Sequence, residues 1–110
     1  MERVPLGAET EAVEHVHLAQ LAAGEEMSVQ HFRIEPGATV PEHDHPHEQA
    51  GFVYEGALTF LVDGEEIVVH AGDSYSIPGD EPHAAENRGD TPVQGVDIFA
   101  PPRPDPDWAE

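Results

Sequence analysis

The sequence predicts an all-β fold, a sandwich or barrel of short strands. Three observations carry that reading. Eleven prolines and ten glycines punctuate the 110 residues, at roughly the eight- to twelve-residue spacing of strands joined by turns. After position 25 no stretch keeps an apolar helical period over about 12 residues. The segments Leu58–Val62 and Ile67–Val69 flank Asp63-Gly64, a dipeptide that accepts the positive φ angles of a type I′ hairpin turn.

Strands are expected near Val16–Leu21, Met27–Ile34, Gly51–Tyr54, Leu58–Val62, Ile67–His70, Ser74–Ile77, His83–Asn87 and Val93–Phe99. Further turns belong at Glu35-Pro36-Gly37, Glu55-Gly56, Ala71-Gly72-Asp73 and Pro78-Gly79-Asp80. The length suits one domain with a modest core. We expect that domain over residues 1–110, with its core at about 15–100. Residues 101–110, PPRPDPDWAE, carry too many prolines for strand or helix, and are expected to wrap the domain as an extended tail.

Charge and composition exclude several function classes. There are 23 acidic residues against four arginines and no lysine, a formal net charge of −19. Such a surface repels nucleic-acid phosphates and anionic membranes. Carboxylates scattered along the whole chain read either as a solvated acidic surface of no specific meaning or, with lysine absent, as adaptation to a salt-rich cytoplasm. No window has the apolar run of a membrane span, and the N-terminus lacks the basic and apolar regions of a signal peptide, so a cytoplasmic location is expected. Without cysteine, disulfides and thiolate ligands are excluded, and any metal must be held by nitrogen and oxygen.

Four of the eight histidines fall in an informative pattern. His43, His45 and His47 alternate along PEHDHPHEQ, and Gln49 keeps the same parity. In an extended strand these side chains would project from one face, where imidazoles at i and i+2 can converge on a first-row divalent ion. Gly37, five residues, His43-x-His45, three residues, Gln49, six residues and Gly56 form one block. Gly72, five residues, Pro78, then His83 and Asn87 form a second. In order and at this separation they resemble the two motifs of the cupin superfamily (cupin 2 conserved barrel). The resemblance implies a small double-stranded β-helix (jelly-roll) barrel holding one divalent metal ion (nickel, zinc, iron or manganese) through His43, His45, Gln49 and His83.

Two positions depart from the common pattern. Gln49 stands where glutamate is usual, so the ligand set would be neutral and the metal would keep its full charge, favouring an anionic substrate or hydroxide. Asp80 stands where the second motif has glycine, with Gly79 beside it. The parity of His47 allows ligation, but a residue following a proline-containing turn can rotate away, and both readings stay open. His15, His17, His31 and His70 carry no motif and are read as structural.

From His43 to Arg103 the chain resembles a narrower group, the pectin-degradation cupins acting on 4,5-unsaturated monouronates, through HDHPHEQAGFVYEG, GDSYSIPGDEPH and DIFAPPR. That resemblance implies ring opening and tautomerisation to the linear keto form, with Asp97, Phe99 and Arg103 as site residues. Pro104, where an acidic residue is frequent in the group, puts the path of the tail in doubt. The residues themselves suit such chemistry. Asp97 and Phe99 share strand parity; a carboxylate there can move a proton or simply be hydrogen-bonded at a strand end. Phe99 fits substrate contact or core packing. Arg103 can capture a substrate carboxylate or pair with a surface acid. The implied partners are a small anionic sugar acid and a second copy of the chain. A dioxygenase with a redox metal, or a cupin that binds a small ligand without turnover, are the alternatives.

Overall fold

The computed structural model describes residues 1–103. Among them there is no helix, and ten strands form two antiparallel sheets facing one another. The strands are β1 Thr10–Val13, β2 Val16–Ala23, β3 Ser28–Ile34, β4 Thr39–His43, β5 Glu48–Glu55, β6 Ala57–Val62, β7 Glu65–His70, β8 Ser74–Ile77, β9 His83–Glu86 and β10 Val93–Ala100. The larger sheet runs β1-β2-β3-β10-β5-β8 and the smaller β4-β9-β6-β7. This is the expected all-β jelly roll. The extended-tail reading lies, beyond Arg103, outside the described residues.

All eight expected strands are present, and four run one or two residues longer than expected. The strand at Gly51–Tyr54 starts three residues earlier and ends one later, Ser74–Ile77 is unchanged, and the strands expected from Met27 and to Asn87 are each one residue shorter. The two additional strands, β1 and β4, are both sheet edges. Almost all of their residues are exposed, so neither shows the buried alternation that marks a strand in sequence. Pro41 within β4 cannot donate to a ladder, which suits an edge position. The β4–β9 pairing shifts between Val40 and His43, a bulge that re-aims the end of the strand.

Strand periodicity decides what faces inward. In β10, Val93, Gly95, Asp97 and Phe99 are buried, while the residues between them are more open. In β5, Gln49, Gly51 and Val53 are buried between exposed neighbours. Val16, Phe32, Ile34, Val53, Leu58, Phe60 and Val69 join a continuous core between the sheets. Burying a side chain of this size contributes roughly 1.5–3 kcal/mol. Turn chemistry follows the expectation too. Asp63 and Gly64 both have positive φ, at 50° and 77°, as a type I′ turn requires. Asp80 has φ 65°, so it takes the left-handed conformation itself at the place where the family motif has glycine.

Candidate metal centre and its cavity

His43 ends β4, His83 begins β9, and the two are partners in the ladder, with ring centroids 4.4 Å apart. Gln49 lies at the start of β5 and His45 in the loop between β4 and β5. That loop crosses from the small sheet to the large one. The expected single extended strand carrying His43, His45, His47 and Gln49 is therefore corrected: the strand breaks after His43 and resumes at Glu48. Pro46, without an N–H, cannot continue a ladder there. The loop is held instead by the β8–β9 turn, where the Asp80 N–H donates to the His45 carbonyl at 2.7 Å.

The loop brings together what a strand would have aligned. One nitrogen from each of His43, His45 and His83 lies within 4.8 Å of the others. Gln49 Oε1 is 3.1 Å from His45 Nε2. Each imidazole has a backbone carbonyl at its Nδ1: Pro41 at 2.9 Å from His43, His47 at 3.1 Å from His45, and Glu81 at 2.8 Å from His83. Donating Nδ1–H to those carbonyls fixes the tautomer and leaves every Nε2 with a lone pair. His45 Nε2 and Gln49 Oε1 then face one another as two acceptors, an arrangement that a shared cation satisfies. Burial holds both His45 and His83 below the ordinary imidazole pKa, keeping them neutral as ligands must be. The donor set fits a divalent metal.

His47 contributes its carbonyl to His45 rather than a ring nitrogen to the group. Its ring packs edge-on to His45 and Phe99. The other histidines are placed structurally. His15 and His17 both reach Glu35 Oε2, at 3.2 and 2.8 Å. His31 is bonded to Tyr54 Oη, and His70 lies 3.6 Å from Asp73.

The ligands open onto a cavity of about 460 Å³ that Asp97, Phe99 and Arg103 also line. Its remaining walls are mainly apolar, among them Phe32, Ile34, Val40, Leu58 and Phe60. Asp97 is 7% exposed, and burial pushes its carboxyl up to about 6. Hydrogen bonds from Tyr75 and Gln49 and the charge of Arg103 act in the opposite direction. Gln49 turns its Oε1 toward His45 Nε2, so the oxygen is the end presented to the metal, while the amide as a whole favours the charged form of Asp97. A glutamate there would set a second carboxylate against a buried one. The neutral ligand and Asp97 thus explain each other.

Phe99 carries the Arg103 guanidinium 5.4 Å above its ring centre, a cation–π contact, and packs edge-on to His45. The Arg103 N–H donates to Ser28 Oγ at 2.8 Å, anchoring the residue at the start of β3. Sequence reasoning passed over two residues of this cavity, Tyr75 and Gln30. Tyr75 donates its hydroxyl to Asp97 Oδ1, and burial together with that carboxylate raises its pKa. The signal for Tyr75 was the alternation Ser74-Tyr75-Ser76-Ile77, which turns the ring inward.

Comparisons with known proteins agree with this architecture. The profile of the family described as Cupin domain matches residues 30–99. The tetracenomycin polyketide synthase protein TcmJ of Streptomyces glaucescens is 32% identical over 78 residues, 70% of this chain and 52% of that protein. H2HPP isomerase of Bacillus subtilis is 33% identical over 67 residues, 61% of this chain and 28% of that protein. The chain thus spans about half the length of the first relative and little over a quarter of the second.

Among solved structures, an RmlC-like cupin from Shewanella frigidimarina superposes with a TM-score of 0.83 at 28% identity, covering 96% of both chains. KdgF from Halomonas sp. gives 0.82 at 23% identity, covering 90% of both. The polyketide cyclase RemF from Streptomyces resistomycificus gives 0.82 at 19%, covering 91% of this chain and 79% of that one. With its two facing sheets, its histidine cluster and the profile match across most of its length, this chain belongs to the cupin domain family.

Proposed function

We propose that the protein is a metal-dependent enzyme that opens and tautomerises 4,5-unsaturated monouronates, giving the linear keto form. The observation that carries this reading is the placement of Asp97. A buried carboxylate, held by the Tyr75 hydroxyl, lines the same cavity as the His43, His45, Gln49, His83 set and Arg103. A bound divalent ion would supply Lewis-acid polarisation of a substrate oxygen.

The chain's own residues account for the rest. Arg103 orients the substrate carboxylate with its two-pronged donor face. Asp97 takes the proton of the anomeric hydroxyl as the ring carbon–oxygen bond breaks, and returns a proton to carbon as the enol becomes the ketone. The reaction is an isomerisation in which the proton count is unchanged and no oxidant is needed. That an isomerase is among the relatives supports proton-shifting chemistry on this scaffold.

The decisive assay incubates metal-loaded protein with unsaturated monouronate and follows the loss of its absorbance. Acceleration over a metal-free control that disappears in Asp97→Ala is the expected result. No acceleration, or equal rates for Asp97→Ala, overturns the reading in favour of a binding cupin. Oxygen consumption instead would identify a dioxygenase.

A second reading is favoured by the apolar walls of Phe32, Ile34, Val40, Leu58 and Phe60. The same proton transfers on a carbocyclic or aromatic enol would use those walls better than a sugar does, and two similar proteins are named for polyketide assembly. We further propose that the chain works as a homodimer in a salt-rich cytoplasm. The exposed side chains of Phe52, Tyr54 and Ile98 lie on the outer faces of β5 and β10, which neighbour each other. Light scattering and melting in molar potassium chloride test the two parts of that proposal.

A further inference from the structure

One ladder rung crosses the larger sheet with polar residues on its inner face. Gln20 on β2 pairs with Gln30 on β3, Gln30 with Asp97 on β10, Asp97 with Gly51 on β5, and Gly51 with Tyr75 on β8. Two members of this rung, Asp97 and Tyr75, satisfy each other. Gln30 does not join them. It is 5% exposed and lines the cavity, yet its Oε1 is buried without a hydrogen-bond partner. Gln20, its neighbour in the ladder, leaves both amide atoms unpartnered, so the two amides do not settle one another.

The buried amide of Asn87 is treated differently. Asn87, 1% exposed, donates to the Ile34 and Thr91 carbonyls at 2.9 Å and accepts from the Gly89 N–H at 3.0 Å. An unpartnered buried acceptor destabilises the fold that contains it, and a methionine of similar length would avoid that cost. Because a carbonyl oxygen only accepts, whatever completes Gln30 must bring an O–H or N–H into the cavity.

We infer that Gln30 is a specificity-determining residue that accepts a hydrogen bond from a ligand hydroxyl, selecting polyhydroxy acids over acids of similar size without hydroxyls. It is the polar contact in a wall otherwise built of Phe32, Ile34 and their apolar neighbours. The choice of a sugar acid as the ligand rests on the uronate reading above.

Binding rather than turnover tests it, with nickel-loaded protein and two unreactive probes, D-galacturonate and cyclohexanecarboxylate. Titration calorimetry on wild type and Gln30→Met should show galacturonate affinity falling on the order of tenfold in the variant, with cyclohexanecarboxylate unchanged. The metal-free Gln30→Met protein should melt above wild type, which a merely structural glutamine would not do. Equal galacturonate affinity in the two proteins, or a lower melting temperature, overturns the inference while leaving the uronate reading intact. If wild type binds neither probe, the uronate reading falls. The melting comparison then decides the role of Gln30: a rise supports it and a fall overturns it.

Discussion

Tyr75 reaches Asp97 because Gly51, which lies between them in the ladder, has no side chain. Asp97 pairs with Gly51 and Gly51 with Tyr75, and a Cβ on Gly51 would overlap the phenol ring and its oxygen. The ring therefore crosses the β5 backbone and presents its hydroxyl to the carboxylate. A glycine on one strand is thus part of the seating of an acid on another.

Gly51→Ala should accordingly behave as an overpacked core variant and as a site variant together. We expect a loss of about 1–3 kcal/mol of stability and a large fall in turnover. Tyr75→Phe, which keeps the ring and removes only the hydroxyl, should cost about 1 kcal/mol. Urea denaturation of the three proteins checks the order. A Gly51→Ala protein as stable as wild type would show that Tyr75 is not clamped there.

Metal binding is the second test. Removing any one of His43, His45 or His83 should weaken it by more than the roughly 10–100-fold typical of losing an outer partner. His47→Ala should leave it close to wild type, because the contact to His45 comes from the His47 carbonyl. Metal at about 100 times its dissociation constant should raise wild-type stability by about 2.7 kcal/mol. Calorimetric titration with nickel or zinc reads both effects. A His47→Ala affinity as poor as that of His83→Ala would place His47 among the ligands.

Gln49 favours the charged form of Asp97, a relation whose polarity can be swapped. Gln49→Glu removes the amide and sets a second carboxylate beside Asp97. The metal-free variant should lose at least about 1–3 kcal/mol at neutral pH. Adding Asp97→Asn restores one donor and one carboxylate, so the double variant should recover most of that loss. Thermal melts of the four proteins close a double-mutant cycle. Additive effects would show that the two residues do not interact.

His31 supplies a pH test remote from the metal centre. It is buried on the outer face of β3, with Nε2 2.7 Å from Tyr54 Oη and Nδ1 buried without a partner. Burial holds its pKa below the ordinary 6.5, outweighing the pull of Glu9. The neutral form is therefore the one that the fold accepts. The contribution to stability is complete above about pH 6.5 and is lost as the pH falls through the lower folded value. Between pH 7.5 and 5, metal-free wild type should lose more stability than His31→Phe. Parallel pH profiles for the two proteins would refute this.

Much of the site could be read from the chain because metal ligands and turn glycines are tied to fixed spacings. His43, His45, Gln49 and His83 converge as their spacing implied, although the strand expected to align three of them is interrupted. That interruption was hard to foresee, since parity describes a strand only while the strand lasts. The edge strands β1 and β4 were missed for a related reason: nothing is buried against most of their residues, so no alternation marks them. Gln30 was legible in principle. It shares inward parity with Phe32 and Ile34, and a polar residue in that series is the anomaly that points into the cavity. What parity could not supply was whether a partner waited inside.

The three carbonyls at the imidazole Nδ1 atoms come from Pro41, His47 and Glu81, and in each case the peptide, not the side chain, does the orienting. Every amino acid brings the same carbonyl to such a position. The identities of these residues are therefore released from the selection that preserves the ligands. Descendants of this sequence can drift at 41, 47 and 81, so long as the backbone keeps its course, and still inherit a centre with its imidazoles already turned the right way.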